Sequence, residues 1–378
     1  MSAAGRSAAS GAGGRGSGRP EATGTGFAGA EATSAASPGA EAGGTGSARA
    51  ETGGTGAAKT EGDGAPAAAV GAGIGGRAQG RALLVVGDVI TDVVARHRGP
   101  LAAGTDTAAS IRTVPGGAGA NVACWAAHQG AADVRLLGRV GADAAAWHER
   151  ELVARGVRPR LVVDAEVPTG TVICMVDESA AAERTFLTDS GASLRLDAAD
   201  WSDGLLDGVA RMHLSGYLLF SEPSRALVAV ALRAARARGV PVSVDPASAG
   251  FLGVLGPARF LSLVDGVDVL LPSRDEACLL TGLGDASDAA AELSLRGPLV
   301  VIKQGCVGAL VARAGKVTAR VPAVPAAPVD TTGAGDAFTG GFLAALLAGA
   351  GPEDAAAQGC RAGALAVERV GGRPPASG

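Results

Sequence analysis

Residues 330–342 read DTTGAGDAFTGGF, with three threonines, four glycines and two aspartates gathered at the start of an apolar run, Phe342–Leu347. Gly333-Ala334-Gly335 is small enough to make a tight turn whose amides point at one spot. The apolar run then starts a helix, expected to reach Ala348. A helix N-terminus offers free N–H groups and a partial positive charge, so an anion is welcome there. Asp336 sits at that same end. A carboxylate beside an anion site is unfavourable unless it has a task, and the natural task is to take a proton from an attacking hydroxyl. The alternative is that Asp336 only caps the helix, since Asp is a favoured N-cap residue. The turn and its acid, taken alone, leave both open.

Such a turn has to be carried by a rigid frame. From Arg81 onward, "RALLVVGDV" has the profile of a buried parallel strand, and similar runs recur at "VRLLGRV", "ARMHLSGYLL", "VPVSVD", "VDVLLP" and "PLVVIK". Helical segments lie between several of them, at 119–131, 143–156 and 224–239. This alternation predicts an α/β fold, a doubly wound, mostly parallel sheet with helices on both faces. Two patches break it: "AASIRTVPGG" and "TGTVICMVD…ERTFLTD" read as short strands without helices between them. They predict a small β-sheet lid, with strands near 93–98, 107–114, 159–176 and 183–188.

Residues 1–80 are almost entirely Gly, Ala, Ser, Thr and Glu, with one Phe and one Ile. They cannot bury enough apolar surface to offset chain entropy, so they are expected to be a disordered extension. "GTGFAG" (24–29) and "GAGIGG" (71–76) fit the pattern GxGxxG, but neither follows a strand and opens a helix. The folded domain is expected over 81–375.

A net charge of −4 and the lack of any basic block give no reason to expect nucleic acid. Five scattered cysteines without a CxxC pair read as reduced thiols. No stretch reaches the roughly 18 apolar residues of a membrane span. A soluble, cytoplasmic protein without membrane partners is the expectation. The histidines at 97, 128, 148 and 213 show no metal spacing, and no GxSxG suggests a hydrolase. "ARAGKV" has a Gly-Lys pair but ends in Val and carries Leu310 where a phosphate-binding P-loop needs its first glycine.

The complete string DTTGAGDAFTGGF resembles the C-terminal signature of the ribokinase (PfkB) family of carbohydrate kinases. The resemblance implies a ribokinase-like fold and ATP-dependent phosphorylation of a sugar-like hydroxyl. Asp336 would be the base, and the amides of Gly333, Ala334 and Gly335 the anion hole for the moving phosphoryl group. That agrees with what phosphoryl transfer needs, which is positioning and charge neutralisation.

Segments far from that motif extend the resemblance over residues 81–375. "PGGAGANVA" (115–123) resembles the family's other signature, where Gly116 and Gly117 let the backbone approach a small polyol and Asn121 would bond its hydroxyls. In "GDVITD" (87–92), Asp92 fits the place of the substrate-gripping aspartate, with Asp88 ranked second. "PSRDEA" retains Glu276 of an N-x-x-E motif that organises magnesium through water, while Ser273 replaces the usual Asn. "KQGCVG" (303–308) resembles the segment along the nucleotide, where Gly305 and Gly308 permit close approach. Lys303, one of three lysines in the chain, stands where it could reach ATP phosphate. "DPAS" keeps the family's aspartate, Asp245, without the residues that often follow it, so it receives no firm role. The loop at Asp330 and Thr332 often borders a monovalent cation in this family, which implies potassium stimulation beside ATP and Mg2+. The lid strands have edges to protect, and pairing them with a second subunit predicts a homodimer.

An aromatic fraction of 3% and a lid with little beyond Phe186 favour a sugar or sugar acid over a nucleoside, whose base wants aromatic faces. Arg112 and Arg184 are the cations that could serve a sugar phosphate. The alternatives are a nucleoside kinase of adenosine or pseudouridine type on the same fold, and a catalytically silent ligand-binding regulator.

Overall fold

The computed structural model describes residues 81–177, 179 and 183–376. The extension expected over residues 1–80 lies outside the described residues. The chain opens with β1 (Ala82–Val86), β2 (Ile90–His97), β3 (Ala109–Gly116), α1 (Ala118–His128), β4 (Asp133–Gly141), α2 (Ala145–Val153) and β5 (Val157–Asp164). β6 (Thr169–Asp177) and β7 (Glu183–Gly191) precede β8 (Val209–Ser215). Helix and strand then alternate through α3 (Glu222–Arg238), β9 (Val242–Asp245), α4 (Ala249–Leu255), α5 (Pro257–Leu263) and β10 (Val269–Leu270). α6 (Arg274–Thr281), α7 (Ala286–Ser294), β11 (Leu299–Lys303), β12 (Gly308–Arg313) and β13 (Lys316–Pro322) follow. Finally, α8 (Ala334–Leu347) packs with α9 (Pro352–Val367).

The main sheet has the order β13-β12-β11-β10-β9-β8-β1-β4-β5. It is parallel from β11 to β5 and antiparallel at the β12 and β13 edge. The continuous apolar run of β1 follows from its place in the middle, since every residue of it is buried. Successive side chains point to opposite faces. Leu84 and Val86 join a core with Leu227 of α3, Phe260 of α5 and Leu293 of α7. Leu83 and Val85 join the other, with Val122 of α1, Leu152 of α2 and Phe342 of α8. At the full ~25 cal/mol per Å2, each such Leu or Val stabilises the fold by about 1.5–3 kcal/mol.

The second sheet, ordered β3-β2-β6-β7, forms the lid. Its edges carry exposed apolar side chains, Ile111 on β3 and Leu187 on β7. The span expected as one lid strand over 159–176 divides in two. Val157–Asp164 is the edge of the main sheet, paired in parallel with β4, and only Thr169–Asp177 enters the lid. The reason is the helix α2, which supplies a parallel crossover from β4 to β5. The lid strand β2 also starts earlier than 93, at Ile90, and so carries Asp92. Among the described residues, no helix is long and apolar enough to cross a membrane.

Candidate active site

The carboxyl ends of parallel strands share one edge, and polar side chains placed there converge. Asp88 follows β1, Ser215 ends β8, Asp245 ends β9 and Lys303 ends β11. Beside them opens a cavity of about 1030 Å3, whose other wall comes from the lid through Asp92, Val172 and Phe186. Asp92, Gly117, Asn121, Ser273, Glu276, Lys303, Gly305, Gly308, Thr332, Gly333, Ala334, Gly335 and Asp336 all line this one cavity. Gly116 and Asp330 are buried behind its wall.

The helix α8 begins where the motif 330–342 placed it. Its N-cap is Gly333, at φ 72°, a left-handed conformation that favours glycine. A Cβ there would also come within 2.5 Å of Gly372 Cα, so the position excludes any other residue on two counts. The first-turn amides of a helix have no intrahelical partner. One of the three expected amides is partly engaged, since Ala334 N–H donates back to the Thr331 carbonyl at 3.3 Å. Asp336 lies in the first turn, and Asn121 Nδ2 donates to its Oδ2 at 2.8 Å. This bond ties α1 to α8 across 215 residues of sequence. Burial pushes the Asp336 carboxyl up to about 7, against the hydrogen bond from Asn121.

Lys303 reaches under the same turn, and its Nζ would be 3.6 Å from a Cβ on Gly335. It pairs with Asp245, whose Oδ2 also accepts from Thr339 Oγ1 at 2.9 Å. Burial opposes the ammonium charge, but Asp245 and Glu276 outweigh it and raise the Lys303 pKa. Glu276 closes a capping box with Ser273: Ser273 N–H donates to Glu276 Oε2 at 2.7 Å, and Glu276 N–H donates to Ser273 Oγ at 3.3 Å. Burial pushes the Glu276 carboxyl up, against the pull of Lys303. Ser273 in the usual asparagine's place thus serves first as the cap that aims Glu276.

On the lid side, Asp92 owes its place to Gly116. A Cβ on Gly116 would come within 2.2 to 2.5 Å of the Asp92 carboxylate atoms. Burial pushes the Asp92 carboxyl up to about 7, with Arg373 pulling it down and Asp88 and Asp330 adding to the rise. Asp88, ranked second by sequence, is already engaged as a helix anchor. Its carboxylate accepts from the amides of Ala118 (2.7 Å) and Gly119 (3.1 Å) and from Ser215 Oγ (2.8 Å).

Asp330 presents no open charge. Its Oδ1 pairs with Arg184 Nη2 at 3.2 Å and accepts Thr332 N–H at 2.9 Å, while its Oδ2 accepts Gly371 N–H at 3.0 Å. Burial opposes this charge, but the two amides and Arg184 hold the carboxyl below the usual range. A monovalent cation between Asp330 and Thr332 does not fit that donor set. Arg184, whose Nη1 also bonds Thr331 Oγ1, is therefore spoken for, and Arg112 is exposed on β3.

Two features, Tyr217 and Arg373, had no place in the sequence analysis, and a third, Asp245, was given no firm role there. Asp245 sits at the centre of the Lys303 network. Tyr217, the chain's single tyrosine, lines the cavity with Phe251, and their rings meet edge to face at 5.9 Å. Position at the end of an apolar strand was the available signal for both Asp245 and Tyr217. Arg373, buried near Asp92, announced itself by nothing.

Free amides, an ammonium and small residues make a cradle suited to a polyphosphate, so the residues fit ATP. Among the described residues no three His, Cys, Asp or Glu side chains gather as metal ligands. Glu276 beside the cradle fits a magnesium ion held through water, while Asp245 is already engaged by Lys303, Thr339 and the Ala247 amide.

The profile of the pfkB family carbohydrate kinases matches residues 81–377. A fructokinase of Klebsiella pneumoniae is 32% identical over 306 residues, spanning 76% of this chain and 93% of that protein. A solved E. coli structure assigned as a ribokinase II, in complex with ATP and Mg2+, superposes with TM-score 0.68 at 25% identity, over 79% of this chain and 96% of that one. The aminoimidazole riboside kinase of Salmonella enterica, solved with its riboside and an ATP analogue, gives TM-score 0.62 at 26% identity, over 77% and 95%.

Proposed function

Because this chain belongs to the pfkB family of carbohydrate kinases, we propose that it transfers the γ-phosphoryl group of ATP to a hydroxyl of a small sugar or sugar acid, with Asp336 as general base. The observation that carries the reading is the Asn121–Asp336 hydrogen bond of 2.8 Å, which joins the polyol-binding signature to the anion turn in one cavity. Asp92 and Asn121 hold the acceptor's hydroxyls, because a sugar binds well only to fixed polar partners. Asp336 takes the proton of the hydroxyl that attacks. The new P–O bond forms on that oxygen as the bond to the β-phosphate bridge breaks, and ADP leaves. The amides of Gly333 and Gly335 and the Lys303 ammonium face the charge that develops on the phosphoryl oxygens. Magnesium bound with the nucleotide supplies further positive charge to offset the polyphosphate. Gly305 leaves room along the nucleotide, whereas Gly308 is needed by its own strand pair, since a Cβ there would run into the backbone at Val321–Ala323. Glu276, fixed by its cap on Ser273, would hold the ion through water.

A nucleoside acceptor is the second reading, and the paired rings of Tyr217 and Phe251 in the cavity wall are what favours it. A coupled ADP-release panel of sugars, sugar acids and nucleosides separates the two. On the first reading a monosaccharide or its acid is turned over and nucleosides are not. Asp92→Asn should raise KM for the acceptor by about tenfold or more, the cost of one charged hydrogen bond, and leave KM for ATP unchanged. An unchanged acceptor KM would remove Asp92 from the site.

Arg184 makes its own prediction. With Asp330 already balanced by the guanidinium, rates in potassium and sodium buffers should agree. Arg184→Ala leaves that carboxylate open, and potassium should then stimulate the variant. Strong potassium stimulation of the unaltered protein would refute this.

A further inference from the structure

The residues that follow α9 cross the back of the cavity as a strap. Gly371 N–H donates to Asp330 Oδ2 at 3.0 Å, and the Gly372 carbonyl accepts from Trp125 Nε1 at 2.9 Å. Arg373 Nη2 donates to the Gly116 carbonyl at 2.7 Å, and the Pro374 carbonyl accepts from Arg155 Nε at 2.8 Å. Four consecutive residues therefore touch the loop before α8, helix α1, the end of β3 and the end of α2. Gly372 also lies against Asn121, whose Nδ2 would be 2.4 Å from a Cβ placed there.

Arg373 is the costly member. Its side chain is buried, yet Nε and Nη1 have no hydrogen-bond partner among the described residues. A buried charge without full pairing is destabilising, and an apolar residue of the same size would serve the fold better. What the guanidinium does hold is Gly116, on whose Cα the Asp92 carboxylate rests.

We propose that Arg373 is a positioning residue for the acceptor half of the site: it clamps the Gly116 carbonyl and so fixes the backbone against which the Asp92 carboxylate rests, with its positive charge set behind that carboxylate. This rests on the reading that Asp92 binds the acceptor. The surrounding charges agree with it. Burial raises Asp92, Arg373 is the cation that opposes the rise, and Asp88 and Asp330 are the acids that reinforce it. Around Arg373 itself lie Cys124 of α1, Glu151 of α2 and Arg155 just beyond that helix. His148 of α2 is held neutral by burial, its pKa down at about 3.

Removing the guanidinium must push the Asp92 carboxyl further up, so more of it is protonated at neutral pH and the acid limb of kcat/KM moves to higher pH. The experiment compares Arg373→Met, Arg373→Lys and Asp92→Asn in steady-state kinetics over a pH series. For Arg373→Met the expected results are an acceptor KM raised about tenfold at pH 7 and an acid limb of kcat/KM displaced upward by about one pH unit. Its KM for ATP and its kcat plateau should hold, and Arg373→Lys should recover part of the loss. Because Met removes an incompletely paired buried charge, the Tm of that variant should equal or exceed the parent's. An unmoved acid limb, or ATP and acceptor KM values rising together, overturns the proposal. If Asp92→Asn leaves the acceptor KM unchanged, the acceptor reading fails instead. Should Arg373→Met not fold, its role is in folding rather than positioning unless Arg373→Lys shows the displaced limb.

Discussion

Asp336→Asn is expected to abolish most turnover, lowering kcat by about 10³-fold, in the range removed with a general base. Asparagine keeps the shape of the side chain and still meets Asn121, but it cannot accept the acceptor's proton. KM for ATP should stay near the parent value, because the amides and Lys303 that face the phosphates are untouched. The pH dependence follows from the burial that lifts this carboxyl to about 7. A base must be ionised to act, so kcat should rise through neutral pH and level off on the alkaline side. Stability runs the other way. A carboxyl whose folded pKa is raised contributes fully below its unfolded value near 4, and that contribution is lost as pH rises through about 7. At pH 8 the Asn variant should therefore melt above the parent, while at pH 4 the two should converge. Thermal melts at the two pH values test this without any turnover. A variant as active as the parent would remove Asp336 from the role of base.

Lys303→Met should produce the largest loss of stability. The ammonium is the cation set among Asp245, Glu276 and the Asp336 end of α8. Its pair with Asp245 is nearly buried, with side-chain exposures of 13% and 9%. Removing one partner of such a pair leaves an uncompensated buried charge and costs about 3–5 kcal/mol. In a domain of this size each kcal/mol corresponds to a little under about 2 °C, so Tm should fall by roughly 5–8 °C. Lys303→Met combined with Asp245→Asn removes both charges and should regain much of that loss. It should not regain ATP affinity, since the cation under the Gly335 turn is still missing. Calorimetry and nucleotide titration on the two variants separate the structural contribution from the binding one. If the single variant melts with the parent, the network does not hold the strand ends together as described.

The parts legible in the sequence were those whose physics is local. The turn Gly333–Gly335 and the helix after it depend on neighbours within a few residues. β1 could be read as a central strand because a run buried on both faces has no polar alternation. Its neighbours could not be read, and β5 went to the wrong sheet for that reason. A strand of eight residues looks the same whether its parallel partner is β4 or a lid strand; the α2 crossover decides between them.

By itself, then, the sequence determined the fold class and the tight turn at Gly333–Gly335 with Asp336 in the first turn of the helix after it, since each is a short-range pattern of backbone freedom, helix ends and apolar spacing. The tertiary structure alone decided which charges meet. Lys303 finds Asp245 across 58 residues, Asn121 finds Asp336 across 215, and Arg373 finds Gly116 across 257. It also placed Arg184 on Asp330 and the Tyr217 and Phe251 rings in the cavity wall. Electrostatic and aromatic contacts act through space at a few ångströms, and separation along the chain carries no information about them until the sheet and its helices have packed.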